Sequence, residues 1–313
     1  MISFRIICAL AVAYVCTAPF ISLASAAPKP RGGAVVQLRL ADTNRYLMSA
    51  EVEGRRVKFI IDSGAGISGI DQRLARSLDL PSPPSRSGVP SHVVVNGRKV
   101  RMAMVSGLRA GPMNFGSAPM CVFPPGLLGD GDGLLGSDLL RRYKAVLDCG
   151  SAQLTFKTSV DSTSGLPAKL RSAGYRSVKL TDRGGNLFVP CRLQGEDFSL
   201  LVDTGAFVTL LQREKLTRLG IPSRKTGMRH SIVFGESSGI RSVHPEDHQL
   251  TVAGIPVNMV VGASSHSMFD KKMGSRGLGM LGTDVLQRHG AIIDFDSMLL
   301  YFRPPSGTAQ RRR

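Results

Sequence analysis

The sequence predicts an all-β chain folded as two similar lobes, and three observations carry that expectation. A segment ending in Asp62-Ser63-Gly64-Ala65 recurs 141 residues later as Asp203-Thr204-Gly205-Ala206. Short β-forming runs broken by turn dipeptides fill both copies. Each copy closes on a matching block, GLLGSDLLRRYKAVLDCGSAQLTF from Gly133 and GMLGTDVLQRHGAIIDFDSMLLYF from Gly279, here 146 residues apart. The second copy therefore carries five extra residues between Pro222 and Gly279, which a loop absorbs at little entropic cost.

Residues 1–26 read as a secretory signal. Arg5 precedes an apolar run from Ile6 to Leu23, and the small residues Ala24-Ser25-Ala26 follow; this is the layout of a cleavable leader. A retained membrane anchor is the competing reading of the same stretch.

Residues 34–157 form the expected N-terminal lobe. Two β runs flank the turn Glu53-Gly54, and the second, VKFII, runs into Asp62. The helical stretch DQRLARSLDL follows and stops at Pro81. HVVVNGRKV then reads as a hairpin turning at Asn96-Gly97. Residues 158–171 are rich in Ser, Thr, Pro and Gly and read as a linker. Residues 172–304 repeat the plan, with a turn at Gln194-Gly195, the strand FSLLV before Asp203, and the helical stretch LQREKLTRLG before Pro222. Residues 305–313 form a basic tail ending in Arg311-Arg312-Arg313.

About 290 residues after the leader are enough to bury a sizeable core without a metal or disulfide scaffold. Cys121, Cys149 and Cys191 remain, allowing at most one bridge among them, and their spacing fits no zinc pattern. The net charge of +17 raises attraction to anionic envelope surfaces as an expectation. Nucleic acid is not an expected partner, because aromatics are only 6% of the chain and no basic helix pattern is present.

An apolar strand running into Asp-Ser/Thr-Gly-Ala, followed in each copy by a Leu-Leu-Gly or Met-Leu-Gly block, resembles the aspartic peptidases, and most of all their retropepsin-like branch in bacteria. The resemblance covers nearly the whole chain after the leader. It implies the bilobal acid-protease fold: two similar β-barrel lobes with short helices and a central active-site cleft. It also implies catalytic roles for Asp62 and Asp203, a periplasmic or secreted location, and an extended polypeptide as substrate.

The chemistry explains the doubling. Hydrolysis of a peptide bond by water needs one carboxylate as base and one carboxylic acid as proton donor. Two ionised carboxylates about 3 Å apart would repel by about 5 kcal/mol at an effective dielectric of about 20, so the pair shares one proton. No metal or organic cofactor is called for. One chain supplies both aspartates, so a monomer is sufficient for the site.

Gly64 and Gly205 are expected to let the backbone bring an amide close to each carboxylate. By resemblance, Ser63 and Thr204 hydrogen-bond across the lobe interface. Ala65 and Ala206 stand where pepsin-like relatives often carry a hydroxyl, which implies an activity optimum nearer neutrality. The segments around Gly88 to Val105 and His230 to Val243 are expected to be flap hairpins. The alternative function is a peptide-binding or scaffold protein that keeps this fold without turnover.

Other motifs compete and lose. Gly64–Gly69 fits G-x-G-x-x-G, but its second copy reads GAFVTL and no βαβ alternation surrounds it. Gly235-Glu236-Ser237-Ser238-Gly239 fits G-x-S-x-G, yet the required helix does not follow. His244 and His248 read as solvated loop residues, and Asp130 and Asp132 as a polar turn without the rest of a calcium loop. Asp138 and Asp284 are expected to cap short helices or bond nearby backbone, and Asp148 and Asp294 to pin strand ends.

Overall fold

The computed structural model describes residues 7–8, 33–157, 166–233, 236–266 and 273–305. Nearly all of the predicted signal, most of the linker, the Phe234-Gly235 tip of the second flap and the end of the basic tail lie outside the described residues. The chain folds as two β lobes, each with its own sheet, joined by a third sheet of six strands. That third sheet takes three strands from each half. Ala145–Asp148 pairs antiparallel with Ile292–Asp294 at its centre, with Leu147 opposite Ile293.

The predicted turns fold as drawn. At Glu53-Gly54 both φ angles are positive, 49° and 79°, and Asn96-Gly97 (51°, 76°) and Gln194-Gly195 (51°, 82°) repeat the pattern. Two successive left-handed residues match the twist of a two-residue hairpin, and glycine at the second avoids a Cβ clash.

In the N-terminal lobe, strand Arg55–Ile61 runs to the aspartate loop and the chain re-enters the sheet at Gly69–Asp71. Between these two strands lies Gly133–Leu135, parallel to the first and antiparallel to the second. The C-terminal lobe does the same, with Gly277–Leu281 between Glu196–Val202 and Leu210–Gln212. The closing block thus threads through the aspartate loop of its own lobe. A methyl at Gly136 would strike the backbone of Ala65 and Ile67, and one at Gly282 that of Val208. This contact explains why the two motifs travel together in sequence.

The two predicted helices appear as Gln72–Ser77 and Arg213–Arg218. Asp71 caps the first by accepting from the Arg73 amide at 2.7 Å. The closing blocks form Ser137–Arg142 and Thr283–Arg288, followed by the expected hairpins. The main core runs through both lobes, and two smaller apolar clusters flank the aspartate loops, one around Ala65 and one around Ala206.

Three expectations need correction. His248 is buried, not solvated: the Leu250 amide donates to its Nδ1 and its Nε2 faces the Met259 carbonyl. The end of the linker is helical over Leu166–Ser172. Asp138 and Asp284 are not the helix caps, because Gly136 and Gly282 hold those positions. Instead the Ser68 hydroxyl donates to Asp138 at 2.6 Å, and the Thr209 amide and hydroxyl donate to Asp284, both at 2.8 Å. Asp148 and Asp294 do hold turns at strand ends, each accepting two backbone amides. Cys121, Cys149 and Cys191 are buried free thiols.

Candidate active site

Strands Arg55–Ile61 and Glu196–Val202 carry mostly apolar residues toward the core and deliver their aspartates at the lobe junction. Asp62 is 2% exposed and Asp203 fully buried. The amides of Gly64 and Ala65 both donate to Asp62 Oδ1 at 3.0 Å. Those of Gly205 and Ala206 donate to Asp203 Oδ1 at 2.9 and 3.0 Å. The sharp turn after each aspartate therefore supplies its first two donors.

The glycines do more than turn the chain. A methyl at Gly64 would overlap the carboxyl of Asp203, and one at Gly205 would overlap that of Asp62. Each loop presents its bare backbone to the acid of the other lobe, so the two carboxyls meet in one buried space.

Ser63 and Thr204 hold the loops in register across the lobes. The Ser63 amide donates to Thr204 Oγ1, and the Thr204 amide donates to Ser63 Oγ, each at 3.0 Å. Each hydroxyl then donates across the interface, Ser63 to the Val202 carbonyl and Thr204 to that of Ile61, both at 2.8 Å. All four bonds are buried, where losing a partner is costly. Ala65 and Ala206 sit at the base of the small apolar clusters, and their carbonyls accept the amides of Ser137 and Thr283 at 2.8 Å.

Burial raises the pKa of Asp62 above the usual carboxylate range, and the neighbouring Asp203 charge raises it further; the Ala65 and Gly64 amides and Arg45 oppose the rise. Asp203 is also raised by burial, against the pull of the Gly205 and Ala206 amides, Asp62 and Arg45. Both shifts act against ionising the two carboxyls together.

The predicted flap regions are hairpins, His92–Val95 with Arg98–Ala110, and Arg224–Val233 with Glu236–Val243. Val93 and Val95 pack into the cluster containing Ala65 and Ile67, and Ile240 into that containing Ala206, Phe207 and Val208. Each hairpin is thereby tied to the aspartate loop of its own lobe.

Sequence reasoning missed several neighbours of the site. The Asn44 side chain donates to the Phe207 carbonyl at 2.9 Å, crossing the lobes, and Ser137 donates to the Gly185 carbonyl in return. Asn44 and Gly185 stand at the same 141-residue offset as the two aspartates but differ in type, so the repeat did not mark them. Asp130, read as a polar turn, pairs with Arg45 at 3.0 Å, and Asp132 accepts the Lys58 amide at 2.9 Å. Among the described residues no cluster of His, Cys, Asp and Glu has the arrangement of a metal site.

Comparison with known proteins matches residues 48–139 to the family described as "Aspartyl protease" and residues 189–288 to that described as "gag-polyprotein putative aspartyl protease". No curated protein matches the chain. Among solved structures, the chain is similar to an aspartic proteinase from Irpex lacteus, with 13% identity over 89% of this chain and 99% of that one, at a TM-score of 0.48. It is similar to basic 7S globulin from soybean, with 10% identity over 87% and 95% and a TM-score of 0.46. A retropepsin-like aspartic protease from Rickettsia conorii shares 21% identity over 40% of this chain and 90% of that one, at a TM-score of 0.28.

Proposed function

The chain belongs to the aspartyl proteases, with two such domains in tandem, and on that premise we propose that it is an aspartic endopeptidase working through Asp62 and Asp203. The observation that carries this reading is the reciprocal packing of each glycine against the acid of the opposite lobe. Two carboxyls in one buried network share a proton, so a base and an acid coexist at a single pH.

In the reaction the ionised carboxyl takes a proton from water as the water oxygen attacks the peptide carbonyl carbon. The protonated carboxyl gives its proton to the carbonyl oxygen. The carboxyl that took the proton from water then gives it to the amide nitrogen, the C–N bond breaks, and the other carboxylate takes a hydroxyl proton from the tetrahedral species, so the pair again holds one proton. The loop amides fix Oδ1 of each aspartate, leaving the second oxygen for proton transfer. Asp203 Oδ2 fits that role, since it is buried and receives no N–H or hydroxyl.

The substrate we propose is an extended polypeptide lying between the lobes. Both aspartates are nearly closed off from solvent, so the flap hairpins would move to admit it. Export to the periplasm or outside the cell, and attraction of the basic chain to an anionic envelope surface, belong to the same proposal. Both acids come from one chain, which makes a monomer sufficient.

The test is a digest of an unfolded protein, with cut sites mapped by mass spectrometry, with and without a transition-state-mimicking aspartic-peptidase inhibitor. The wild-type protein should cut and be inhibited, and Asp203→Asn should not cut. Binding of unfolded chains without cutting at any pH from acid to neutral would instead identify a scaffold.

A further inference from the structure

Arg45 is the one buried arginine among the described residues, at 5% exposure. Its place follows from strand register. Strand Tyr46–Val52 pairs antiparallel with Arg55–Ile61, with Leu47 opposite Ile60. That ladder ends there: Arg45 lies two residues before Leu47 and Asp62 two residues after Ile60, so both flank its end. In the second lobe the ladder ends with Phe188 opposite Leu201, and the same two-residue step brings Asn186 and Asp203 to the corresponding end. The two lobes thus match in fold at this position and differ in charge: an arginine in one, a neutral asparagine in the other.

The guanidinium is clamped. Nη2 donates to Asp130 at 3.0 Å, Nη1 to the Leu128 carbonyl at 3.3 Å, and Nε to the Thr43 hydroxyl at 3.4 Å. A methyl at Gly129 would press on Nη2, so that bare backbone closes the clamp. The Arg45 carbonyl accepts the Ala41 amide, and the adjoining Asn44 reaches the other lobe. Arginine keeps its charge when buried, which lysine in such a place need not do.

We propose that Arg45 is a positioning residue of the dyad, a fixed cation that favours the singly ionised form of the Asp62–Asp203 pair. This rests on the peptidase reading above. The charged groups that bear on it are Asp62 at the end of the neighbouring strand, Asp203 from the other lobe, Asp130 in the clamp, and Arg39, whose charge acts on Asp130. Asp130 stays ionised: burial opposes its charge, but the Thr43 hydroxyl and Arg45 hold its pKa below the usual range. Asp130 therefore offsets part of the Arg45 field. The cation still draws both aspartates downward, against the rise that burial imposes.

The sign of the effect is definite. A cation near the pair stabilises each loss of a proton, so removing it makes both ionisations harder. Both limbs of the pH–rate profile then move to higher pH.

The experiment compares wild type with Arg45→Met, Arg45→Gln and Arg45→Lys, two neutral replacements of different shape and one that keeps a cation. The pH profile of kcat/KM on an unfolded protein is measured beside the carbon-13 NMR titration of aspartate-labelled protein, which needs no turnover. Both neutral variants should shift both limbs and the dyad titration upward, and Arg45→Lys should return them toward wild type. A neutral variant that folds and titrates as wild type does would overturn the proposal. So would a uniform loss of rate with unmoved limbs, which marks a structural role. A wild-type protein with no turnover sinks the peptidase reading, and the NMR titration still decides the role of Arg45.

Discussion

At Ala206 a methyl group stands where a hydroxyl would reach the Asp203 carboxylate, whose Oδ1 already takes the Ala206 amide. A donor to the charged form lowers the pKa of a carboxyl. Ala206→Thr should therefore move the acidic limb of the pH–rate profile to lower pH, and an unmoved limb would show that the missing hydroxyl does not set the working range. The meeting of Asp62 and Asp203 at the lobe junction was legible in the sequence because two turn motifs at matched spacing cannot arise from one lobe's needs alone. Arg45 was not legible, since one arginine among 40 basic residues shows nothing until the fold buries it at the end of the strand pair that leads to Asp62. His248 was misread for a similar reason: Pro245 spoils a helical face but does not keep the side chain in water.

The element that organises each lobe is the closing strand threaded through the aspartate loop, latched by Ser68 on Asp138 and by Thr209 on Asp284. Burial pushes Asp284 up to about 6, against the donors from Thr209 and Val285. A carboxyl raised on folding contributes stability that is full below about pH 4 and is lost as the pH climbs through about 6. Asp284→Asn keeps an acceptor for Thr209 and carries no charge. It should be more stable than wild type at neutral pH by about 1–3 kcal/mol and lack that stretch of pH dependence. Urea unfolding at several pH values measures both, and identical curves for the two proteins would contradict the assignment. Hairpin turns were legible to the residue because Asn-Gly and its kin need left-handed backbone. The helix at Leu166–Ser172 was not, because Pro167 and a flank rich in Ser, Thr and Gly hide a helix of only about two turns.

Across the whole molecule the six-stranded sheet fixes how the lobes face each other, and a buried ion pair fastens it. Lys157, at the end of the first lobe, donates to both oxygens of Asp294 in the second, at 2.8 and 2.7 Å. The side chains are 6% and 1% exposed. Stranding one charge by Lys157→Met should destabilise the fold by about 3–5 kcal/mol, read as a lower denaturant midpoint. Burial opposes the Asp294 charge, but Lys157 and the Ser297 bonds hold its pKa below the usual range. Its contribution is present above about pH 4 and fades as the pH falls through the lowered value. The repeat made the two lobes visible in sequence; the shared sheet was not, because strand pairing between distant halves leaves no local pattern.

The central claim is that Asp62 and Asp203 act as one unit, and non-additivity tests it most directly. Initial rates of peptide cleavage are measured for Asp62→Asn, Asp203→Asn and the double variant, each checked for folding. Each single variant should fall to the background rate, and the double should fall no further, as for groups that work only together. A single variant that keeps substantial turnover, with losses that multiply in the double, would contradict a shared proton and with it the mechanism.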